Sequence, residues 1–253
     1  MLFRSRGLLL IDRGSREKEA KDELDLICKR VKEKGNYEFS NYCFLEVLPP
    51  FIEEGIKKSL ENEIDYLTIV PYFLYPGKKV KAAVNDAIKF QVSTDVKFVV
   101  TKPMSMHKTM IELVDNRVTT SLKNNKVSLA KKDVDVLIIG HGSKDPNAQL
   151  SIKYVVDGLK NTYRNVSHCF LEIEEPNIAQ GILKCEKDNP NVLVIVFYFL
   201  HEGAHVKRDI YEDLNPALER TSIKNVLITK HIGTDEKIID LIIERAKEVE
   251  HVN

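Results

Sequence analysis

The chain repeats itself, and this repeat constrains the fold more than any other feature of the sequence. Cys43-Phe-Leu-Glu46 returns as Cys169-Phe-Leu-Glu172, at an offset of 126 residues. Eight of the fourteen positions in 43–56 are identical in 169–182, and eight of the sixteen in 69–84 are identical in 195–210. Arg13-Gly-Ser-Arg16 pairs with His141-Gly-Ser-Lys144 at an offset of 128. Three blocks in the same order indicate a duplication, so two copies of one domain are predicted.

Within each half, short apolar runs alternate with longer segments of helical periodicity. Strands are predicted near 7–11, 42–46, 66–74 and 96–102, and near 134–140, 168–172, 192–200 and 226–230. Continuous apolar strands that alternate with helices are typical of a parallel sheet covered on both faces. The predicted fold class is therefore α/β, with two similar doubly wound parallel-sheet domains at 1–124 and 133–253. The polar segment 123–133 is the predicted join.

Composition and motifs argue against nucleic-acid partners, membrane partners and organic cofactors. The 253 residues carry 38 Lys and Arg against 38 Asp and Glu, so there is no bulk attraction to nucleic acid or to anionic membranes. The four cysteines form no C-x-x-C pair, and the apolar run 8–11 is too short for a signal sequence or a membrane span. A reduced, cytoplasmic protein is predicted. The chain contains no phosphate loop and no G-x-G-x-x-G, so no organic cofactor is expected.

Three residues of the second half follow predicted strands and carry groups that can bind a metal. They are His141, Glu172 and His205. The carboxyl ends of parallel strands lie at one edge of a sheet, where open α/β sheets bind ligands. Two imidazoles and a carboxylate suit a divalent first-row metal and leave positions open for a substrate. Each residue also has a structural interpretation, as a turn residue, a helix cap or a surface residue, but their combination favours a metal site.

The same residues resemble those of a known family. His141-Gly-Ser-Lys144, Phe170-Leu-Glu172 and the segment from Phe199 to Asp209 together resemble the class II tetrapyrrole chelatases. These are the sirohydrochlorin ferrochelatases and cobaltochelatases, which occur as short homodimeric chains and as long chains with two fused halves. The resemblance covers nearly all of this chain in the long form. It implies a chelatase-like fold and a lyase that inserts a divalent metal into sirohydrochlorin in siroheme or cobalamin biosynthesis.

The resemblance also implies roles for individual residues. His141, His205 and Glu172 match the residues that hold the metal and accept the pyrrole protons. Fe2+ is favoured as the metal substrate, Co2+ is possible, and no organic cofactor is implied. A monomer is expected, because fusion supplies the pairing that short members obtain by dimerising. Candidate contacts to the substrate in the second half are Ser143, Lys144, Lys207 and Arg208.

The first half departs from the family pattern. Its equivalent positions are Arg13, Glu46 and Lys79. Arginine stays protonated in proteins and does not ligate metals, so this half is expected to have lost the metal chemistry. Sirohydrochlorin carries carboxylates around its rim, and Arg13 and Lys79 are hypothesised to bind them. The alternative is that these two cations are surface residues that have drifted without a role.

Other functions remain open at this point. A non-catalytic carrier of a metal or a tetrapyrrole would bind the same ligand without turnover. A small-molecule binding protein could also use two α/β halves, but it would not need His141 or His205. A phosphoryl-transfer enzyme is a weaker alternative, because the sequence lacks the second histidine and arginine pattern that such sites need around phosphate.

Overall fold

The structure is a computed structural model that describes residues 5–75, 77–145, 148–201 and 204–250, with only the backbone described for 204–207. The chain divides into two compact units. Unit 1 comprises 1–105 together with 234–253, and unit 2 comprises 106–233. Among the described residues, no helix is long and apolar enough to cross a membrane.

Unit 1 contains a four-stranded parallel sheet. In chain order its elements are β1 (Arg6–Asp12), α1 (Lys18–Gly35), β2 (Phe39–Phe44), α2 (Ile52–Leu60), β3 (Tyr66–Pro71), α3 (Lys78–Ile88) and β4 (Lys97–Val100). A short 3-10 helix, Lys89–Ser93, precedes β4. The strand order is β2-β1-β3-β4, with every pair parallel. The direction of winding reverses at β1, so the carboxyl ends of β1 and β3 flank the position where such sheets bind ligands.

Unit 2 repeats this architecture. In chain order its elements are α4 (Lys108–Asn124), β5 (Asp135–Gly140), α5 (Ala148–Leu159), β6 (Asn165–Phe170), α6 (Ile178–Lys187), β7 (Leu193–Phe197), α7 (Ala204–Arg220) and β8 (Val226–Ile228). The strand order is β6-β5-β7-β8, again parallel throughout. The fold class predicted from the sequence, two similar doubly wound parallel-sheet domains, is confirmed.

The central strands are apolar because both of their faces are covered. All positions of β1 from 7 to 12 are buried, as are all six positions of β5. Leu9 and Ile11 pack with Ile56 of α2 and Ala87 of α3 in one apolar cluster. The alternate residues of β1, such as Leu10, are also fully buried and point to the other face. This explains the continuous apolar runs in the sequence.

The boundaries of the compact units differ from those that the repeat suggests, because the last helix of each half packs in the other unit. Helix α4 follows β4 in the chain but packs against α5 and β7. The last helix, α8 (Glu236–Lys247), follows β8 but packs against α1 and β3. The expected domains at 1–124 and 133–253 therefore describe the duplication of the sequence, whereas packing divides the chain at 105/106 and 233/234.

Several predicted strands end earlier than the sequence suggests, and two of these differences concern the candidate site. Strands were expected to reach Glu46 and Glu172, but β2 ends at Phe44 and β6 at Phe170. The N–H of Phe44 donates to the carbonyl of Pro50 at 2.8 Å, and that of Phe170 to Pro176 at 2.9 Å. Since the chain turns back on itself there, both glutamates lie in turns just beyond the sheet.

Candidate metal centre

His141 and Glu172 meet at the carboxyl edge of the sheet in unit 2. His141 directly follows β5, and Glu172 lies two residues beyond β6, the neighbouring strand. The two turns are joined by a hydrogen bond in which the Glu172 N–H donates to the His141 carbonyl at 3.1 Å. The side chains are in contact as well, with Nδ1 of His141 3.2 Å from Oε1 of Glu172. The structure therefore brings together two of the three predicted metal ligands.

The contact with Glu172 orients the imidazole ring. The carboxylate of Glu172 near Nδ1 favours the tautomer that carries its proton on Nδ1, and the unprotonated Nε2 can then bind a metal or accept a proton. Phe199, which follows β7, lies with its ring centroid 6.4 Å from that of His141 at an interplanar angle of 65°. Both groups of the pair remain partly open to solvent. A ligand can therefore reach them.

Gly142 allows the two turns to approach this closely. Its φ is +93°, a region that L side chains rarely adopt, and a Cβ at this position would lie 1.8 Å from the carbonyl oxygen of Glu172. Gly14 repeats this arrangement in unit 1, with φ +106° and a Cβ position 2.2 Å from the Glu46 carbonyl. The glycine of the repeated block is thus required by the approach of one turn to the next.

Gly142→Ala is expected to destabilise the protein by about 1–3 kcal/mol, because the added Cβ imposes both a steric clash and a strained backbone. Thermal or urea unfolding would measure the change. Ser143→Ala is the matched control, since it removes only the hydrogen bond that Ser143 Oγ accepts from the Asp145 N–H at 3.0 Å. The control should lose no more than about 1 kcal/mol. A Gly142→Ala variant as stable as the wild type would contradict this packing.

The third predicted ligand, His205, falls outside the residues whose side chains are described. Only its backbone is described. His205 is the second residue of α7, which begins after β7 at the same edge of the sheet. The equivalent residue of unit 1 is Lys79. Lys79 is the second residue of α3, and its ammonium forms an ion pair with Glu46. Among residues with described side chains, no group of three His, Cys, Asp or Glu could hold a metal ion.

In unit 1 the equivalent positions form a cluster of charges. Nε of Arg13 lies 2.9 Å from Oε1 of Glu46, while Lys79 pairs with the other carboxylate oxygen. The hydrogen bond from Lys79, supported by the one from Arg13, holds the pKa of Glu46 below its ordinary value. The cluster is therefore ionised at neutral pH and carries one net positive charge. Two cations occupy the positions that His141 and His205 hold in the repeat.

The remaining sequence candidates lie around the same edge of unit 2. Ser143 is engaged in its own turn through Asp145, and Lys144 is exposed. Arg208, on α7, lies 3.4 Å from Asp209 and 3.5 Å from Glu212. The side chain of Lys207 lies outside the described residues. A substrate contact by any of the four remains a prediction.

Sequence reasoning missed two residues of this edge. One is Phe199, whose ring lies in a T-shaped arrangement with that of His141. The other is Glu174, whose Oε1 accepts the N–H of Ser143 at 2.7 Å and so supports the turn that carries His141. The repeat contains a signal for Glu174, because the equivalent residue in the first half is Leu48. A carboxylate in place of an apolar residue indicates a change of role at that position.

The chain resembles known proteins over nearly its whole length. The family model named CbiX matches residues 7–121 and 135–249, which together span nearly the whole chain. The chain belongs to the CbiX family. The resemblance to the sirohydrochlorin chelatases that the sequence suggested is thereby confirmed. Both halves match, including the one in which the two histidines are replaced by Arg13 and Lys79.

Two relatives and one solved structure match nearly the whole chain. A sirohydrochlorin ferrochelatase of Priestia megaterium is 22% identical over 246 residues, which cover 95% of this chain and 89% of the relative. A sirohydrochlorin cobaltochelatase of the same organism is 25% identical over 251 residues, covering 96% and 79%. The structure of SirB from Bacillus subtilis with Fe3+ superposes with a TM-score of 0.79 at 22% identity, covering 96% of this chain and 95% of SirB. At this identity the structural likeness establishes the fold.

Proposed function

We propose that this protein is a sirohydrochlorin chelatase, a lyase that inserts Fe2+ or Co2+ into the tetrapyrrole in siroheme or cobalamin biosynthesis. The observation that carries the proposal is the His141–Glu172 pair, 3.2 Å apart at the carboxyl edge of a sheet in a CbiX-family chain. The names of the two Priestia megaterium relatives support sirohydrochlorin as the substrate and iron or cobalt as the metal. The divalent metal is a substrate, and no organic cofactor takes part.

The chemistry exchanges two pyrrole protons for one divalent cation. The site must remove water from the ion, present it to the ring nitrogens and accept the two protons. His141, oriented through Nδ1 by Glu172, offers Nε2 as a ligand or as a proton acceptor. His205 would supply the second imidazole, as the family resemblance implies. Three protein ligands leave positions on the ion for the incoming nitrogens, whereas a fourth would retain the metal.

The cellular setting forms part of the same proposal. The four cysteines are all free and buried. Burial raises the pKa of the Cys28 thiol and of the Cys43 thiol to about 12, so these thiols stay protonated. Such cysteines are typical of reducing compartments, which supports the cytoplasm. We further propose that the chain acts as a monomer, without nucleic-acid or membrane partners.

Anaerobic metal insertion into sirohydrochlorin, followed by absorbance with Fe2+ and Co2+ in parallel, tests the function. We expect insertion well above the rate without protein, with Fe2+ as the favoured metal. Binding of metal-free sirohydrochlorin is measured on the same samples. Binding without insertion would replace the chelatase by a carrier, and the absence of both would reject the substrate.

The cationic cluster of unit 1 is proposed to bind carboxylates of the substrate. Arg13 and Lys79 are both more than half exposed, and only one of their two charges is compensated by Glu46. A guanidinium and an ammonium at the edge of a sheet suit the acidic rim of the substrate. A metal ion does not suit this site, because neither cation can ligate it at neutral pH.

The double variant Arg13→Ala/Lys79→Ala is expected to raise KM for sirohydrochlorin about tenfold while kcat stays close to the wild type. Steady-state insertion at several substrate concentrations separates the two constants. Lys57→Ala is the control, since it removes another exposed lysine of unit 1 that pairs only with Glu53 of its own helix among the ion pairs described. An unchanged KM would leave the two cations without a role in substrate binding.

A further inference from the structure

A tight turn directly follows the glutamate in both units. In unit 2 the Glu174 N–H donates to the Glu172 carbonyl at 2.8 Å, and Ile173 between them has a φ of 71°. In unit 1 the Leu48 N–H donates to the Glu46 carbonyl at 3.1 Å around Val47, whose φ is 80°. This hydrogen bond and a central φ near +75° are the features of a γ-turn of the strained kind.

Neither backbone preference nor core packing accounts for the residues at the centre of these turns. Glycine adopts a positive φ without cost, whereas a β-branched residue there is a conformational outlier. Burial could offset that cost, but Ile173 is 54% exposed and Val47 is 44% exposed. Both units therefore place a large aliphatic side chain in solvent on a strained backbone. Strain of this kind is characteristic of functional sites.

Ile173 lies beside the proposed metal centre in the chain. It directly follows Glu172, whose carboxylate lies 3.2 Å from His141. In the proposed reaction the macrocycle must bring its nitrogens to this pair. The conjugated ring carries its charges on the rim and is apolar on its faces, so the surface that approaches the pair is apolar.

We propose that Ile173 is a substrate-positioning residue whose side chain packs on the face of the tetrapyrrole next to His141 and Glu172. This inference rests on the proposed function and specifies how the same site holds its substrate. The repeat supports it, because unit 1 keeps the exposed β-branched Val47 although its histidine positions carry Arg13 and Lys79. A residue that contacts the ring and not the metal can be retained in a unit whose metal-binding histidines have been replaced.

Ile173→Gly tests the proposal, because it removes the side chain and relieves the strain in one step. Titration with metal-free sirohydrochlorin should show a Kd about tenfold higher, the ratio produced by losing about 1.4 kcal/mol of contact. In steady-state insertion KM should rise while kcat stays unchanged. The melting temperature should not fall, since glycine accepts the positive φ. Ile173→Val, which introduces the residue of the equivalent turn in unit 1, should retain most of the affinity.

Leu183→Ala is the matched control, because Leu183 lies on α6 of the same unit and is 53% exposed. It should leave Kd unchanged. A wild-type Kd in Ile173→Gly would overturn the inference, and so would a lowered melting temperature accompanying a raised Kd, which would indicate a structural role. A wild type that binds sirohydrochlorin without inserting metal would reject the proposed function, and the comparison of Kd values would still decide the role of Ile173. A wild type that does not bind would reject both.

Discussion

His141→Ala is expected to lower kcat for metal insertion by about 100-fold or more, the range that loss of a general base produces. His141 is the described imidazole that contacts Glu172, and its removal leaves the carboxylate without the ring that it orients. His205→Ala should cause a loss of similar size if its side chain completes the site. Steady-state insertion at saturating sirohydrochlorin is the measurement. Binding of the metal-free substrate should be largely retained in both variants, because the rim and the ring face supply separate contacts.

The duplication provides the control for this experiment within the same chain. Arg13 occupies in unit 1 the position that His141 occupies in unit 2, and it contacts Glu46 as His141 contacts Glu172. Arg13→Ala should therefore leave kcat near the wild-type value, although KM rises. The opposite pattern, with kcat lost in Arg13→Ala and kept in His141→Ala, would move the chemistry to unit 1. Equal losses in both would show that the two units cannot be assigned separate roles.

The contact between His141 and Glu172 could be anticipated from the sequence because two regular rules place it. Apolar runs locate the strands, and the carboxyl ends of adjacent parallel strands share one edge of the sheet. The strand ends themselves were placed two residues too far along. Glu172 lies in a turn, since the N–H of Phe170 already pairs with Pro176. An error of two residues does not change the edge of the sheet at which His141 and Glu172 are predicted to lie, so the predicted contact between their side chains is still found.

Other features of the edge depend on interactions that a sequence pattern does not record. The exposed Ile173 appears in the sequence as one more apolar residue after a strand, and only its φ of 71° shows that it is strained. Glu174 differs from its repeat equivalent Leu48, but the sequence does not show that its carboxylate accepts a hydrogen bond from the Ser143 N–H. The side chain of His205 lies outside the described residues, so its role rests on its position after β7 and on the family resemblance.

The exchange of the two last helices was not predictable from periodicity. The buried faces of α4 and α8 are equally regular, with Leu113 and Val118 on one and Ile239 and Ile242 on the other. An apolar stripe shows that a helix is covered on one side, but it does not identify the sheet that covers it. The predicted join at 123–133 consequently lies inside unit 2. There Lys131 forms an ion pair with Asp115 of α4 at 2.6 Å.

A fragment comprising 106–233 is expected to fold as a stable monomer, whereas 133–253, the half defined by the repeat, is not. The first fragment contains all of unit 2, including α4. The second lacks α4 and carries α8, which packs in unit 1. Circular dichroism, thermal unfolding and light scattering after size exclusion would compare the two fragments. A cooperative melting transition and a monomeric mass are expected for 106–233 alone.

The expected loss of stability in 133–253 follows from the side chains that α4 buries. Its large buried side chains are Met110, Leu113, Val114, Val118 and Leu122. At about 1.5–3 kcal/mol for each side chain of this size, their loss approaches the whole stability of a domain, about 5–15 kcal/mol. The helix also supplies polar anchors. Asp115 accepts a hydrogen bond from the Tyr163 hydroxyl at 2.7 Å, and Arg117 donates through Nε to the carbonyl of His231 at 2.9 Å.

The last of these contacts lies next to the boundary at 233/234. Arg117 binds the backbone just before the chain leaves unit 2, and Arg245 of α8 donates to the carbonyl of Ser105 at 3.1 Å, just before the chain leaves unit 1. Each exchanged helix thus anchors the segment at which its own unit ends. A fragment cut at 133 loses the anchor of unit 2, but a fragment cut at 106 keeps it. A folded, monomeric 133–253 would show that α8 can replace α4 on the same sheet, and the division into these two units would then not be required for folding.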